Sequence, residues 1–282
     1  MTRIAIVTDS TTSLPQELVE RYHIHVIPTL VLFGMDVYRD GVDLSPPQFY
    51  RMLGEASHLP TTSQPSMEDF ADFYRSLGEE ADAIISIHVS EELSGTLASA
   101  YAARTTLPGV PIEIIDSRFI SMGLGFVVLA AARAAAEGKS VAEAAMAAKE
   151  VVPKMNLLFV VETLRYLAKG GRIGGASALI GSVLQIKPVL CIKDGRIEVQ
   201  EKVRSTIKAR GRMIEIMEER VGPGATVHAA VVHANSLAEA EAMREELARR
   251  FNCAELYVTE IGAVIGTHTG PGTVGVAFYA EE

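Results

Sequence analysis

The sequence predicts an α/β protein of two domains, an N-terminal α/β/α domain on a parallel sheet and a C-terminal α/β domain on a mixed sheet. Three observations lead there. Short apolar runs alternate with helical patterns through the first half of the chain, as in a parallel sheet covered on both faces. The alternation breaks after Pro153, where a Gly-rich segment is followed by a hairpin pattern whose turn is Asp194-Gly195. The length, 282 residues, suits one large or two ordinary domains. The expected division is into residues 1–153 and 154–282.

Taken in order, residues 3–8 read as a buried strand and Asp9 to Thr12 as a loop. Ser13 and Gln16 form a capping-box pattern that opens a helix to Tyr22, with Pro15 tolerated in its first turn. Residues 25–33 form a second strand, bent or near an edge at Pro28. Asp40-Gly41 is a turn, and Ser45 with Gln48 caps a short helix to Leu53. Thr61-Thr62-Ser63-Gln64-Pro65-Ser66 reads as a loop before a helix over residues 67–77. A strand over 82–89, a loop from Ser90 to Thr96, a helix to about Thr106 and a strand over 111–115 follow. A long Ala-rich helix over 121–137 stops at Gly138, and Ser140 with Glu143 caps one more helix, ending near Pro153.

Beyond Pro153, residues 156–162 form a strand and 163–168 a short helix, followed by the Gly-rich stretch 169–175 and a helix over about 176–184. The hairpin pairs residues 188–193 with 196–203. A helix over 205–220, a strand over 226–233, a helix over 237–251 and a strand over 255–261 come next. The chain closes with the loop Gly266-Thr267-His268-Thr269-Gly270-Pro271-Gly272 and a strand to Tyr279.

Composition narrows the function. A formal net charge of −9 argues against a nucleic-acid surface, which needs clustered Lys and Arg. Two cysteines, Cys191 and Cys253, make no disulfide framework and fit a reduced, cytoplasmic setting. Met1-Thr2-Arg3-Ile4-Ala5 enters a strand at once and does not read as a signal peptide. The apolar stretch over residues 119–132 is too short to span a bilayer. The seven histidines show no metal-ligand spacing, so no metal and no cofactor is expected.

Four hydroxyl-rich stretches carry the candidate chemistry: Thr8 to Ser13, Thr61 to Ser66, Ser90 to Thr96, and Asp116-Ser117. Each is what a helix N-cap looks like. Together, at the carboxyl ends of strands, they also make an anion site without formal positive charge. Thr62 and Ser94 are the residues expected to touch the anion. Gly95 would let a ligand approach the backbone, and Ser63 and Thr96 add hydroxyls. Ser94 lacks the Gly-x-Ser-x-Gly pattern of a nucleophile elbow, and a serine-dependent acyl hydrolase would need a base beside it. His268, flanked by Gly and Thr, is the histidine best placed for function. Lys169-Gly170-Gly171-Arg172-Ile173 lacks the ending of a phosphate-binding loop and reads as an exposed turn, either a partner-docking patch or a solvated connection.

These features, in this order, resemble the DegV family of bacterial lipid-binding proteins. The residues that carry the resemblance are Thr8-Asp9-Ser10-Thr11, Thr61-Thr62-Ser63-Gln64-Pro65, Leu93-Ser94-Gly95-Thr96, Asp116-Ser117, Leu164 through Ile173, Lys187-Pro188, Glu201-Lys202-Val203-Arg204 and the His268 loop. The resemblance implies two α/β domains with a long-chain fatty acid, such as palmitate, stearate or oleate, held between them. It implies that Thr62 and Ser94 hold the carboxylate, with Arg204 and His268 near the head group. It also implies a separate kinase subunit that phosphorylates the presented acid, with Arg172 on the surface facing it, and it allows transient membrane contact for lipid exchange. The chain itself would be a carrier with no catalytic residues; the alternative is a serine-dependent acyl hydrolase or a stand-alone phosphotransferase. The helix over 121–137 either lines the tunnel with small side chains or packs closely on the sheet.

Overall fold

The computed structural model describes residues 2–179 and 186–281. Strand β1 (Ile4–Asp9) is buried from Ala5 onward, as its run of apolar residues requires. It leaves through a 3-10 turn, Ser10–Thr12, into helix α1 (Gln16–Arg21) and strand β2 (Ile24–Ile27). Strands β3 (Leu30–Phe33) and β4 (Asp36–Arg39), helix α2 (Pro46–Glu55), strand β5 (Thr61–Ser63) and helix α3 (Met67–Gly78) follow. Strand β6 (Ala83–His88), helix α4 (Thr96–Thr105), strand β7 (Ile112–Asp116), and helices α5 (Met122–Ala136) and α6 (Val141–Val151) complete the first half. Its main sheet is fully parallel in the order β2-β1-β6-β7, and β4-β3-β5 form a small antiparallel sheet.

The second half holds strand β8 (Asn156–Val160), helix α7 (Arg165–Lys169) and a 3-10 helix, Gly174–Leu179. Hairpin strands β9 (Lys187–Lys193) and β10 (Arg196–Val203) turn through Asp194 and Gly195, both at positive φ, as a two-residue hairpin turn demands. Helix α8 (Thr206–Val221), strand β11 (Thr226–His233), helix α9 (Leu237–Arg250), strand β12 (Asn252–Glu260), helix α10 (Ala263–Thr269) and strand β13 (Val274–Ala280) close the chain. They form a six-stranded mixed sheet in the order β10-β9-β8-β13-β11-β12, in which only β11 and β12 run parallel. The two-domain α/β architecture, parallel then mixed, is the one expected. Among the described residues, no helix is long and apolar enough to cross a membrane.

Capping boxes at Ser45/Gln48 and Ser140/Glu143 form as their spacing predicts. The one at Ser13/Gln16 does not. Ser13 takes a left-handed conformation, and the capping side chain in this region is Asp9, which accepts from the Thr11 N–H. The strand expected over residues 25–33 splits around Pro28, which lacks an N–H to pair. Its halves join different sheets, β2 the parallel one and β3 the small antiparallel one. Thr61–Ser63, expected as loop, is a strand paired with β3, Thr62 opposite Val31. The loop expected around His268 is helix α10, closed by Gly270 at φ 73°. The helix expected over about 176–184 is a 3-10 helix as far as Leu179, and its remainder lies outside the described residues. Every residue of α5 from Met122 to Leu129 is buried, and of the helix expected over 121–137 only Ser121 at its N-cap lies among the residues around the cavity described below.

The loops that leave β1 and β6 are held by one buried group. The Asp9 carboxylate accepts from the Thr11 N–H (3.0 Å) and hydroxyl (2.5 Å) on one oxygen, and from the Val89 N–H (3.0 Å) on the other, which also bonds His88 Nδ1 (3.0 Å). His88 Nε2 meets Ser86 Oγ at 2.7 Å, and Ser86 Oγ accepts from the Tyr74 hydroxyl at 2.8 Å. Asp9, Ser86 and His88 are all 0% exposed. Burial pushes the Asp9 carboxyl up, but the His88 bond and attraction and the Thr11 and Val89 donors outweigh it and hold the pKa below its ordinary value. Asp9→Asn or His88→Ala is therefore expected to cost on the order of 3–5 kcal/mol in urea unfolding, because each strands a buried partner. The Asp9 contribution is present above the ordinary value of 3.8 and is lost as pH falls through the lower folded value. A wild-type-like unfolding midpoint in either variant would refute this account of the network.

Candidate functional site

A narrow cavity runs between the two domains, with about 90 Å³ of space for the centres of water-sized groups. Val89, Leu93 and Ile120 wall it on the N-terminal side. Leu157 and Phe159 of β8, Ile192 of β9, Ile197 of β10, Val232 of β11, and Val264 and Ile265 of α10 wall it on the C-terminal side. Its polar groups are mostly hydroxyls, and Arg172 is the only Lys, Arg, Asp or Glu among the described residues around it. Such a space favours a long apolar body carrying a small polar head.

Thr62 reaches the cavity from β5, where its backbone is fixed by pairing with β3. Its Oγ1 lies 2.8 Å from Nε2 of His268, in the last turn of α10 and 206 residues away in sequence. Burial, and then the nearby Arg172 charge, lower the His268 pKa to about 4, so the ring is neutral at neutral pH. His268 Nδ1 is buried without a hydrogen-bond partner among the described residues. A buried N–H without an acceptor is costlier to tolerate than a bare lone pair, so we assign the ring proton to Nε2. Nε2–H then donates to Thr62 Oγ1, and the Thr62 hydroxyl proton is left free to donate to a ligand oxygen.

Ser94 follows β6 and also lines the cavity. Its backbone N–H donates to the Ser90 carbonyl, and its Oγ lies 2.8 Å from Thr96 Oγ1 and accepts from the Thr96 N–H at 3.3 Å. Thr96 is fully buried and supports Ser94 without reaching the cavity. Gln64 stands against Gly95, its Nε2 only 2.9 Å from where a Cβ would stand. This contact ties the β5 loop to the Ser94 loop. Ser63 lines the cavity, with its hydroxyl donating to the Gln64 carbonyl at 3.2 Å. No imidazole hydrogen-bonds Ser94 among the described residues. His88, the nearest in sequence, is sealed between Ser86 and Asp9.

Arg172 is exposed at the mouth, donating from Nε to the Leu93 carbonyl (3.2 Å) and from Nη1 to the Gly170 carbonyl (2.7 Å). It thus bridges the end of α7 to the loop that carries Ser94. Arg204 is not brought to the cavity. Ile197 of β10 lines the wall, but by Arg204 the chain has left the sheet and turned to solvent. Sequence reasoning did not single out Thr29, Gln64, Thr269 or Thr273 as cavity residues. Thr29 has a signal in retrospect, since it follows the Pro28 break between two sheets. The others take their place only from packing. Among the described residues, no group of three or more His, Cys, Asp or Glu could hold a metal.

Gly170 makes the His268 geometry feasible, because a Cβ there would stand 2.0 Å from His268 Nδ1. Gly170→Ala is expected to destabilise the protein by about 1–3 kcal/mol in urea unfolding, since either backbone or ring must shift. His268 binds fewer protons folded than unfolded between pH 6.5 and about 4, so its presence lowers stability as pH falls through that window. The unfolding midpoint of His268→Gln should drop less between pH 7 and pH 5 than that of the wild type. Equal drops would contradict a buried neutral ring.

The DegV family model, described as that of an uncharacterised protein, matches residues 3–281. A DegV domain-containing protein of Streptomyces coelicolor is 44% identical over 275 residues, spanning 97% of either chain. A solved DegV family protein from Thermus thermophilus, described by its fatty acid binding, has a TM-score of 0.93 at 38% identity and covers 99% of this chain and 100% of its own. DegV of Bacillus subtilis, described as a fatty acid binding protein, has a TM-score of 0.93 at 37% identity with 100% of both chains covered. With a full-length family match, a close relative and the same fold, the chain belongs to the DegV family.

Proposed function

We propose that this protein binds a long-chain fatty acid in the interdomain cavity, with Thr62 and Ser94 donating to its carboxylate. The observation that carries the reading is a narrow, mostly apolar cavity lined by Ser94 and by Thr62, whose hydroxyl lies 2.8 Å from His268 Nε2. Burying an acyl chain supplies roughly 0.8 kcal/mol per CH₂, so a long tail provides most of the affinity. The head then needs only enough hydrogen bonding to offset desolvation of the carboxylate. Neutral donors do this while leaving the carboxylate oxygens reactive. The solved family members described as fatty acid binding support the same ligand class.

In this reading the chain is a carrier. It presents the carboxylate at the mouth beside Arg172 to a separate kinase subunit and exchanges lipid at a membrane surface. Ser94 bonded to Thr96 rather than to an imidazole supports carriage over serine hydrolysis. Denaturing mass spectrometry of the purified protein should find a co-purified long-chain acid. Thr62→Val and Ser94→Ala should each weaken oleate binding roughly tenfold, as loss of one hydrogen bond to a charged group predicts. If extraction gives no acid and added oleate leaves the melting temperature unchanged, the proposal fails.

A further inference from the structure

Asp40 lies just beyond β4 and is 3% exposed, a depth at which a carboxylate needs its acceptors filled. One oxygen accepts from the Ala263 N–H at 2.9 Å, and the other from the Ser10 hydroxyl at 3.1 Å. The Val264 N–H also donates to it. Ala263 and Val264 open α10, so a carboxylate from the N-terminal domain takes up the free N–H groups of a helix in the C-terminal domain. Gly262 permits the approach, because a Cβ there would stand 3.1 Å from both carboxylate oxygens. The Tyr50 hydroxyl, also from the N-terminal domain, donates to the Ile261 carbonyl at 3.0 Å and fixes the chain entering the same helix.

The far end of α10 carries His268, which meets Thr62 of β5. Asp40 directly follows β4, and β4 and β5 flank β3 in one small sheet. That sheet therefore grips both ends of a helix only about 10 Å long. A shift or rotation at the Asp40 end is carried through the helix to the His268 ring. Asp40 is not among the residues around the cavity.

We propose that Asp40 is a positioning residue for the head-group site, capping α10 so that His268 meets Thr62 at hydrogen-bonding distance and turns the Thr62 hydroxyl proton toward the ligand. The inference rests on the reading of Thr62 and Ser94 as the fatty-acid head-group site. It is tested by oleate titration of delipidated full-length protein carrying Asp40→Ala, His268→Ala or both. Asp40→Ala should weaken oleate binding roughly tenfold, as expected for a lost hydrogen bond to a charged group, and should cause no further loss in the His268→Ala background. Losses that multiply would overturn the proposal, since Asp40 would then act on the fold and not through His268. Asp40→Asn provides a second readout that needs neither lipid nor the harsher variant. At pH 7.5, above the Asp40 pKa that burial raises to about 6, the resonance of the His268 Nε2–H bonded to Thr62 should shift and exchange faster with water in this variant. An unchanged Nε2–H resonance overturns the positioning role. Failure of the wild-type protein to bind oleate would instead overturn the fatty-acid reading.

Discussion

The structure turns on a carboxylate that cannot reach water. Asp9 sits at the carboxyl end of the central parallel strand with four donors converging on its two oxygens. Through Thr11 it fixes the turn after β1, and through His88 and Val89 it fixes the exit of β6. Those exits supply Thr11, Val89 and, a few residues on, Ser94 to the cavity. A buried ion of this kind is stable only when every acceptor is satisfied, so the two loops have little freedom to reposition independently. Ser86, His88 and Asp9 form a chain of the types found in hydrolytic triads, yet it is sealed from solvent and closed by Tyr74. Its role here is structural.

The two domains meet through polar ties around an apolar seam. The Ser90 hydroxyl donates to the Gly195 carbonyl, and Glu92 pairs with Arg196, so the β9–β10 hairpin tip is held against the loop that carries Ser94. On the other side, Arg133 of α5 donates to Glu255 of β12 at 2.9 Å. Burial raises the Glu255 carboxyl, but bonds from His228, Arg133 and Tyr257 outweigh it and bring the pKa down to about 2. The apolar wall of the cavity comes from strands of the mixed sheet and α10 together with Val89, Leu93 and Ile120, while Thr62 and Ser94 reach it from the N-terminal domain and His268 from α10. The Thr62–His268 contact therefore forms only when the domains dock.

Much of the fold was legible in the sequence. The alternating runs, the capping boxes at Ser45 and Ser140, the Asp194-Gly195 turn and the change of pattern after Pro153 all rest on contacts within a few residues. Thr62 and Ser94 stood out as hydroxyls in stretches before helical patterns, and both line the cavity. Thr61–Ser63 read as a loop because a three-residue edge strand carries no usable period, and only its pairing with β3 makes it a strand. His268 read as a loop residue because Gly266, Gly270 and Gly272 mark turns. The N-terminus of α10 is capped by Asp40, 223 residues earlier, a partner no local pattern reveals.

The sequence by itself determined the fold class and most of the elements, and it marked several of the hydroxyls that line the cavity. Those properties follow from residue type and from interactions over three or four positions, which any window of the chain contains. Tertiary structure decided which hydroxyls meet. It set His268 against Thr62, gave Gln64 the place beside Gly95, turned Arg204 out to solvent and buried Asp40 at the head of α10. Each of these depends on bringing together groups far apart in the chain, and desolvation, which sets their protonation, exists only once the domains have packed.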